Sequence, residues 1–129
     1  MSNIDFLCIG AQKAGTTWLF NRLNELPEFT LLPVKEVHYF DRNPRYYSPN
    51  TLSITNLSER IMDTKWKEEA ITKLNSFSEE SFEHSWYQKW YFSDYNDDWY
   101  ISLFDNLKGI RGEITPAYSI LDKSDVGNL

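Results

Sequence analysis

Ile4-Asp5-Phe6-Leu7-Cys8-Ile9-Gly10-Ala11-Gln12-Lys13-Ala14-Gly15-Thr16-Thr17 is the stretch that decides the fold. Ile4 to Gly10 is an apolar run with β-branched and aromatic members that ends in glycine, the pattern of a buried strand. From Thr16 the period changes: Leu19, Leu23 and Leu26 recur at i, i+4 and i+7, and Pro27 closes a helix of about three turns. Strand, glycine loop and helix thus follow in order, and in that context main-chain N–H groups and the helix dipole favour an anion at the loop. Gly10 and Gly15 are spaced as in a nucleotide P-loop, but Thr16 occupies the position where that motif requires lysine, which argues against an ordinary Mg-dependent NTPase site. The lysine lies inside the loop as Lys13, where its ammonium can reach a terminal phosphate or the oxygen bridging to a leaving group. Thr16 and Thr17 offer hydroxyl donors at the helix start.

Working outward, Phe29 to Val34, broken by Pro33, reads as a short second strand leading into Lys35-Glu36-Val37-His38-Tyr39-Phe40. Alternation there would place Glu36 and His38 on one face. The Pro, Asn, Ser and Tyr content of residues 41–56 predicts an irregular loop. Asn56 or Ser58 then caps a helix to about Leu74, and a second runs from Ser81 to Tyr91 with Phe82, Trp86 and Trp90 on one stripe. Asn96-Asp97-Asp98 reads as a turn, Trp99 to Leu107 as a short helix, Gly109 to Ile114 as a strand ending at Thr115-Pro116, and Ala117 to Leu121 as a new helix. The spacing of Trp86, Tyr87, Trp90, Tyr91, Trp99 and Tyr100 favours core packing over a stacking platform. His84, within that stretch, reads as structural.

The chain has 129 residues, of which 41% are hydrophobic and 16% aromatic, enough for one domain with a real core. With 13 basic against 19 acidic residues the net charge is −6, which excludes a general nucleic-acid surface. Any anionic ligand needs a local device such as the Lys13 loop. No apolar run approaches the ~20 residues of a membrane helix, and the start lacks the basic segment of a secretory leader, so the expectation is a cytoplasmic protein away from membranes. The single cysteine, Cys8, reads as a buried thiol.

The stretch Ile9 to Leu19, with Gly10-Ala11-Gln12-Lys13-Ala14-Gly15-Thr16-Thr17-Trp18 at its centre, resembles the 5′-phosphosulfate loop of sulfotransferases that use 3′-phosphoadenylyl sulfate (PAPS). Two later segments resemble the same family in the same order. Lys35-Glu36-Val37-His38-Tyr39-Phe40-Asp41 is similar to the segment of glycan-modifying members that carries the catalytic glutamate, and Gly112-Glu113-Ile114-Thr115-Pro116-Ala117-Tyr118 is similar to their next strand end. The resemblance implies an α/β three-layer P-loop-like fold with a central parallel sheet, residues 1–129 forming the N-terminal part of one sulfotransferase-like domain. It implies transfer of a sulfuryl group from PAPS to a hydroxyl or amine, of a carbohydrate in preference to a small phenol, without a metal.

By the same resemblance Lys13 serves the bridging oxygen and 5′-phosphate, and Gln12, Ala14, Gly15, Thr16, Thr17 and Trp18 complete the donor site. Glu36 is then the expected general base, with His38 its competitor, since cytosolic small-molecule members use a histidine. Glu113 and Thr115 are expected to line the cleft. Ile114 departs from many relatives, which carry a lysine just before the Ser/Thr-Pro pair, and Arg111 is the candidate replacement. Nothing after Tyr118 resembles the arginine and serine that hold the 3′-phosphate, so a missing C-terminal half is expected, with self-association or a complementing half as partner. Two other readings stand beside this one: a phosphonucleotide-binding remnant without turnover, and a P-loop nucleotide kinase.

Overall fold

The computed structural model describes residues 4–10, 15–127 and 129. In chain order the elements are β1 (Phe6–Cys8), α1 (Thr16–Asn24), β2 (Phe29–Leu31), α2 (Leu57–Arg60), α3 (Thr64–Asn75), α4 (Phe82–Tyr91), α5 (Asp97–Ser102), β3 (Ile110–Ile114), a 3-10 helix (Pro116–Ile120) and α6 (Lys123–Val126). They fall into two compact units, Met1–Ser53 with Phe104–Leu129, and Ile54–Leu103.

The first unit is α/β. Its three strands form an open sheet in the order β1-β3-β2, and β3 pairs in parallel with both neighbours, Phe6 opposite Gly112 and Leu31 opposite Gly112 on the other side. A parallel sheet needs crossovers, and α1 supplies the first. Gly112 is dictated by packing rather than by turn geometry: a Cβ there would lie 2.4 Å from the Phe6 ring and 2.5 Å from the Phe6 carbonyl oxygen. The Phe6 ring meets Phe29 edge to face with centroids 6.1 Å apart, an arrangement worth about 0.5–1.5 kcal/mol beyond area burial. Leu32, Val37, Tyr39, Phe104, Ile114 and Tyr118 are among this unit's buried side chains.

The second unit is helical, and its aromatic residues are its core: Trp86, Tyr87, Tyr91, Trp99 and Tyr100 are all buried, while Trp90, stacked on Trp86, is half-buried. Arg60 is buried among them and donates to the carbonyls of Ile54, Thr55, Tyr91 and Ser93, with its guanidinium 3.6 Å from the Tyr95 ring centroid. Several local expectations are corrected here. The helix expected from residue 56 to 74 is two, because the Asp63 side chain accepts from Trp66 N–H and starts α3 afresh. Asn96 is an N-cap rather than part of a turn, its side chain accepting from Trp99 N–H, so α5 begins at Asp97. The start of the helix expected at Ala117 is a 3-10 turn with Pro116 at its first position.

In the first unit β1 and β2 are shorter than their apolar runs, and residues 35–40 are not a strand. Cys8 is half-buried rather than buried. Among the described residues no helix is long and apolar enough to cross a membrane.

Candidate functional site

Because the three strands are parallel, the ends of β1 and β3 share one edge of the sheet, and in open α/β sheets ligands bind at the carboxyl edge. Thr115 N–H donates to the Cys8 carbonyl at 3.0 Å and ties the two strand ends together. Gly10 follows at φ 143, a conformation that favours glycine, and a Cβ there would meet Ser119 Cβ at 2.9 Å and the Pro116 carbonyl oxygen at 3.1 Å. The glycine loop therefore leaves β1 directly against the turn that follows β3. Gly15 precedes α1 with φ 82. Thr16 is buried, whereas Thr17 and Trp18 are exposed. Gln12, Lys13 and Ala14 lie outside the described residues.

The segment 35–41 docks on the same strand end through a clasp of four hydrogen bonds. Val37 N–H donates to Thr115 Oγ1 at 3.0 Å, and Thr115 Oγ1 donates on to Glu113 Oε1 at 2.5 Å. Tyr39 N–H donates to the Tyr118 hydroxyl at 3.1 Å, which donates on to Glu113 Oε2 at 3.0 Å. Two hydroxyls thus relay two main-chain donors to the two oxygens of one carboxylate. Glu113 and Thr115 are 2% and 0% exposed, so they bear on the site by fixing the segment they hold. Burial, with the Glu113 charge beside it, pushes the Tyr118 phenol well above its usual pKa.

Between the two anchored residues stands His38, itself at φ 58. A non-glycine residue in the left-handed region costs on the order of 1–2 kcal/mol, and the anchors on either side hold it there. Its Nδ1 lies 2.8 Å from Asp41 Oδ2, with Asp41 wholly buried. Asp41 Oδ1 is buried without a hydrogen-bond partner. Burial alone would lower the His38 pKa, but the Asp41 hydrogen bond and charge, followed by the Glu36 and Glu113 charges, outweigh it, and the net shift is upward from 6.5. Glu36 is half-buried, and its Oε1 lies 4.0 Å from Lys35 Nζ.

The structure thus brings Glu36, His38, Glu113 and Thr115 to one neighbourhood, with Gly10 against the turn that follows the same strand end. Arg111 is elsewhere: it lies at the opposite end of β3 from Ile114, where its Nε is 3.5 Å from Asp5 Oδ2. Asp41 was not among the expected site residues, although the spacing His38-x-x-Asp41 in a loop was a signal open to the reader. Among the described residues no group of three or more His, Cys, Asp or Glu side chains could hold a metal ion. Comparison with protein-family models, with curated proteins and with solved structures yields no match.

Proposed function

We propose that this chain belongs to a PAPS-dependent sulfotransferase domain of P-loop-like, three-layer type, transferring a sulfuryl group to a hydroxyl or amine of a carbohydrate. The observation that carries the reading is the clasp at the carboxyl edge of the sheet, which holds the Glu36–His38 segment on the strand end that also anchors the start of the glycine loop. Donor and acceptor groups of a transfer reaction need that proximity.

In this reading the loop amides, Thr16, Thr17 and Lys13 hold the 5′-phosphosulfate, with Gln12, Ala14, Gly15 and Trp18 shaping the same site. Lys13 and the start of α1 offset charge that grows on the departing phosphate, so no metal is called for. A base from the Glu36/His38 pair takes the acceptor's proton.

Calorimetry with 3′-phosphoadenosine 5′-phosphate (PAP), against ATP plus Mg, tests the donor assignment. PAP is expected to bind in preference to ATP, and Lys13→Ala to weaken it on the order of 10–100-fold, the loss of one charge-assisted hydrogen bond. Preference for ATP, or a Lys13→Ala protein with unchanged affinity for PAP, refutes it. Binding without turnover would leave a phosphonucleotide-binding module.

A further inference from the structure

We infer that Arg42, Arg45 and Tyr46 form a binding site for a sulfate-type oxyanion, free or as the ester group of a larger molecule, and that α6 is its displaceable plug, with Asp125 seated where the anion would sit. The inference is independent of the transfer reaction proposed above and concerns residues outside the clasp.

All of these groups belong to the first unit. Arg45 Nη2 and the Tyr46 hydroxyl both donate to Asp125 Oδ2, so one carboxylate oxygen receives a guanidinium and a phenol together, a donor set suited to an oxyanion. Arg45 Nη2 also donates to the Tyr46 hydroxyl oxygen at 3.0 Å and lies 3.5 Å from Asp122 Oδ2. The Arg42 guanidinium stands 4.0 Å from the Tyr39 ring centroid, held by donation from Nη1 to the Tyr39 carbonyl at 2.7 Å. The Tyr46 hydrogen bond, partly offset by desolvation, and then the Arg45 and Arg42 charges keep the Asp125 carboxyl below the usual carboxylate range.

Charge is sorted between the two elements. Residues 42–47 contribute two arginines and no carboxylate, whereas α6 with its cap contributes Asp122 and Asp125 beside the exposed Lys123. In a chain of net charge −6, such a local pair of cations is what an anion requires. The loop has bonds of its own that keep its shape. Tyr46 N–H donates to the Asn43 carbonyl at 3.0 Å, Arg45 N–H to Asn43 Oδ1 at 2.9 Å, and Asn50 Nδ2 to the carbonyls of Asp41 and Asn43 at 3.1 and 3.0 Å. The plug has the opposite character: α6 is four residues long, buries none of them, and its cap side chain makes no capping bond. It meets the loop through the Asp122 and Asp125 carboxylates and through Asp122 N–H, which donates to the Tyr46 hydroxyl at 3.1 Å. With the Arg45 and Asp122 side chains 48% and 65% exposed, an ionic contact of this kind is weak enough to exchange for a competing anion. When α6 leaves, both carboxylates go with it, and the two guanidinium groups and the Tyr46 hydroxyl proton remain for the incoming oxyanion.

Amide NMR titration of the full chain with sodium sulfate, against sodium chloride at matched ionic strength, tests the site. Sulfate is expected to move the signals of residues 42–47 and 122–127 together, and chloride is not. The double variant Asp122→Asn/Asp125→Asn is expected to bind sulfate about tenfold more tightly, the factor by which a closed state populated about nine parts in ten lowers apparent affinity. Arg45→Gln in that background is expected to abolish the response. Glucose 6-sulfate separates the two sources: a response to it assigns the site to an ester on a larger molecule, a response to sulfate alone assigns it to the free anion, and either supports the site. Equal responses to sulfate and chloride, no response to sulfate, a double variant with wild-type affinity, or shifts confined to the residues around Gly15 overturn the inference. Should the double variant not fold, the wild-type comparison of sulfate with chloride still decides.

Discussion

Replacing Tyr118 by Phe removes one oxygen atom and, with it, two of the four bonds that seat residues 35–41. The lost bonds are the Tyr39 N–H donation to the hydroxyl, at 3.1 Å, and the hydroxyl's donation to Glu113 Oε2, at 3.0 Å. The site is 1% exposed, so water cannot readily stand in. A neutral hydrogen bond contributes about 0.5–1.5 kcal/mol and one to a charged group about 1.5–3 kcal/mol, so the expected loss is about 2–4 kcal/mol. The ring itself stays, including its edge-to-face contact with Phe40 at 5.3 Å, and no cavity term is added. For a chain of this length the loss corresponds to a fall in Tm of roughly 7–15 °C. Urea denaturation followed by tryptophan fluorescence and near-ultraviolet dichroism measures it, with Tyr47→Phe at a fully exposed tyrosine as control, expected within about 0.5 kcal/mol of wild type. A Tyr118→Phe protein as stable as that control would show that the clasp does not hold the segment, and the argument for its seating would fail.

Gly112→Ala is expected to be the most damaging small substitution in the sheet, because its Cβ would overlap the Phe6 ring and carbonyl at 2.4–2.5 Å; loss of a cooperative thermal transition, or one lowered by more than about 10 °C, is the expected calorimetric result. Stability should also depend on His38 titration. Its native pKa is raised from 6.5, so the stabilisation from the charged pair with Asp41 is fully present below about pH 6.5 and is lost as pH rises through the elevated native value. Urea midpoints measured across that window are expected to fall more steeply with pH in the wild-type chain than in Asp41→Asn.

Local periodicity carried the reading as far as single elements reach. The change of period at Thr16, the glycines at 10 and 15 and the run before Thr115-Pro116 placed β1, α1 and β3 because each is specified by its own residues. Segment 35–40 failed that test. Its main-chain donors go to the side chains of Thr115 and Tyr118, 78 and 79 residues away in sequence, and His38 takes a left-handed conformation that alternation does not encode. The break between α2 and α3 was hidden for a different reason: the apolar stripe through Ile61, Met62 and Trp66 continues across it, and only the Asp63 cap interrupts the backbone. Within the site the residue types of Glu36 and His38 were legible, but the orientation of the imidazole was not, since it depends on a buried aspartate whose burial comes from tertiary packing.

The parallel register also sets the order of events in biosynthesis. Phe6 meets Gly112 across the sheet, so β1 leaves the ribosome well before the strand it pairs with has been made. Contacts of such long sequence separation form slowly. The helical unit between them closes on neighbours nearby in sequence, and it can consolidate during translation while β1 and β2 are still unpaired. Until β3 arrives those two apolar strands have exposed edges, the interval in which such a nascent chain is most open to misassembly and chaperone capture.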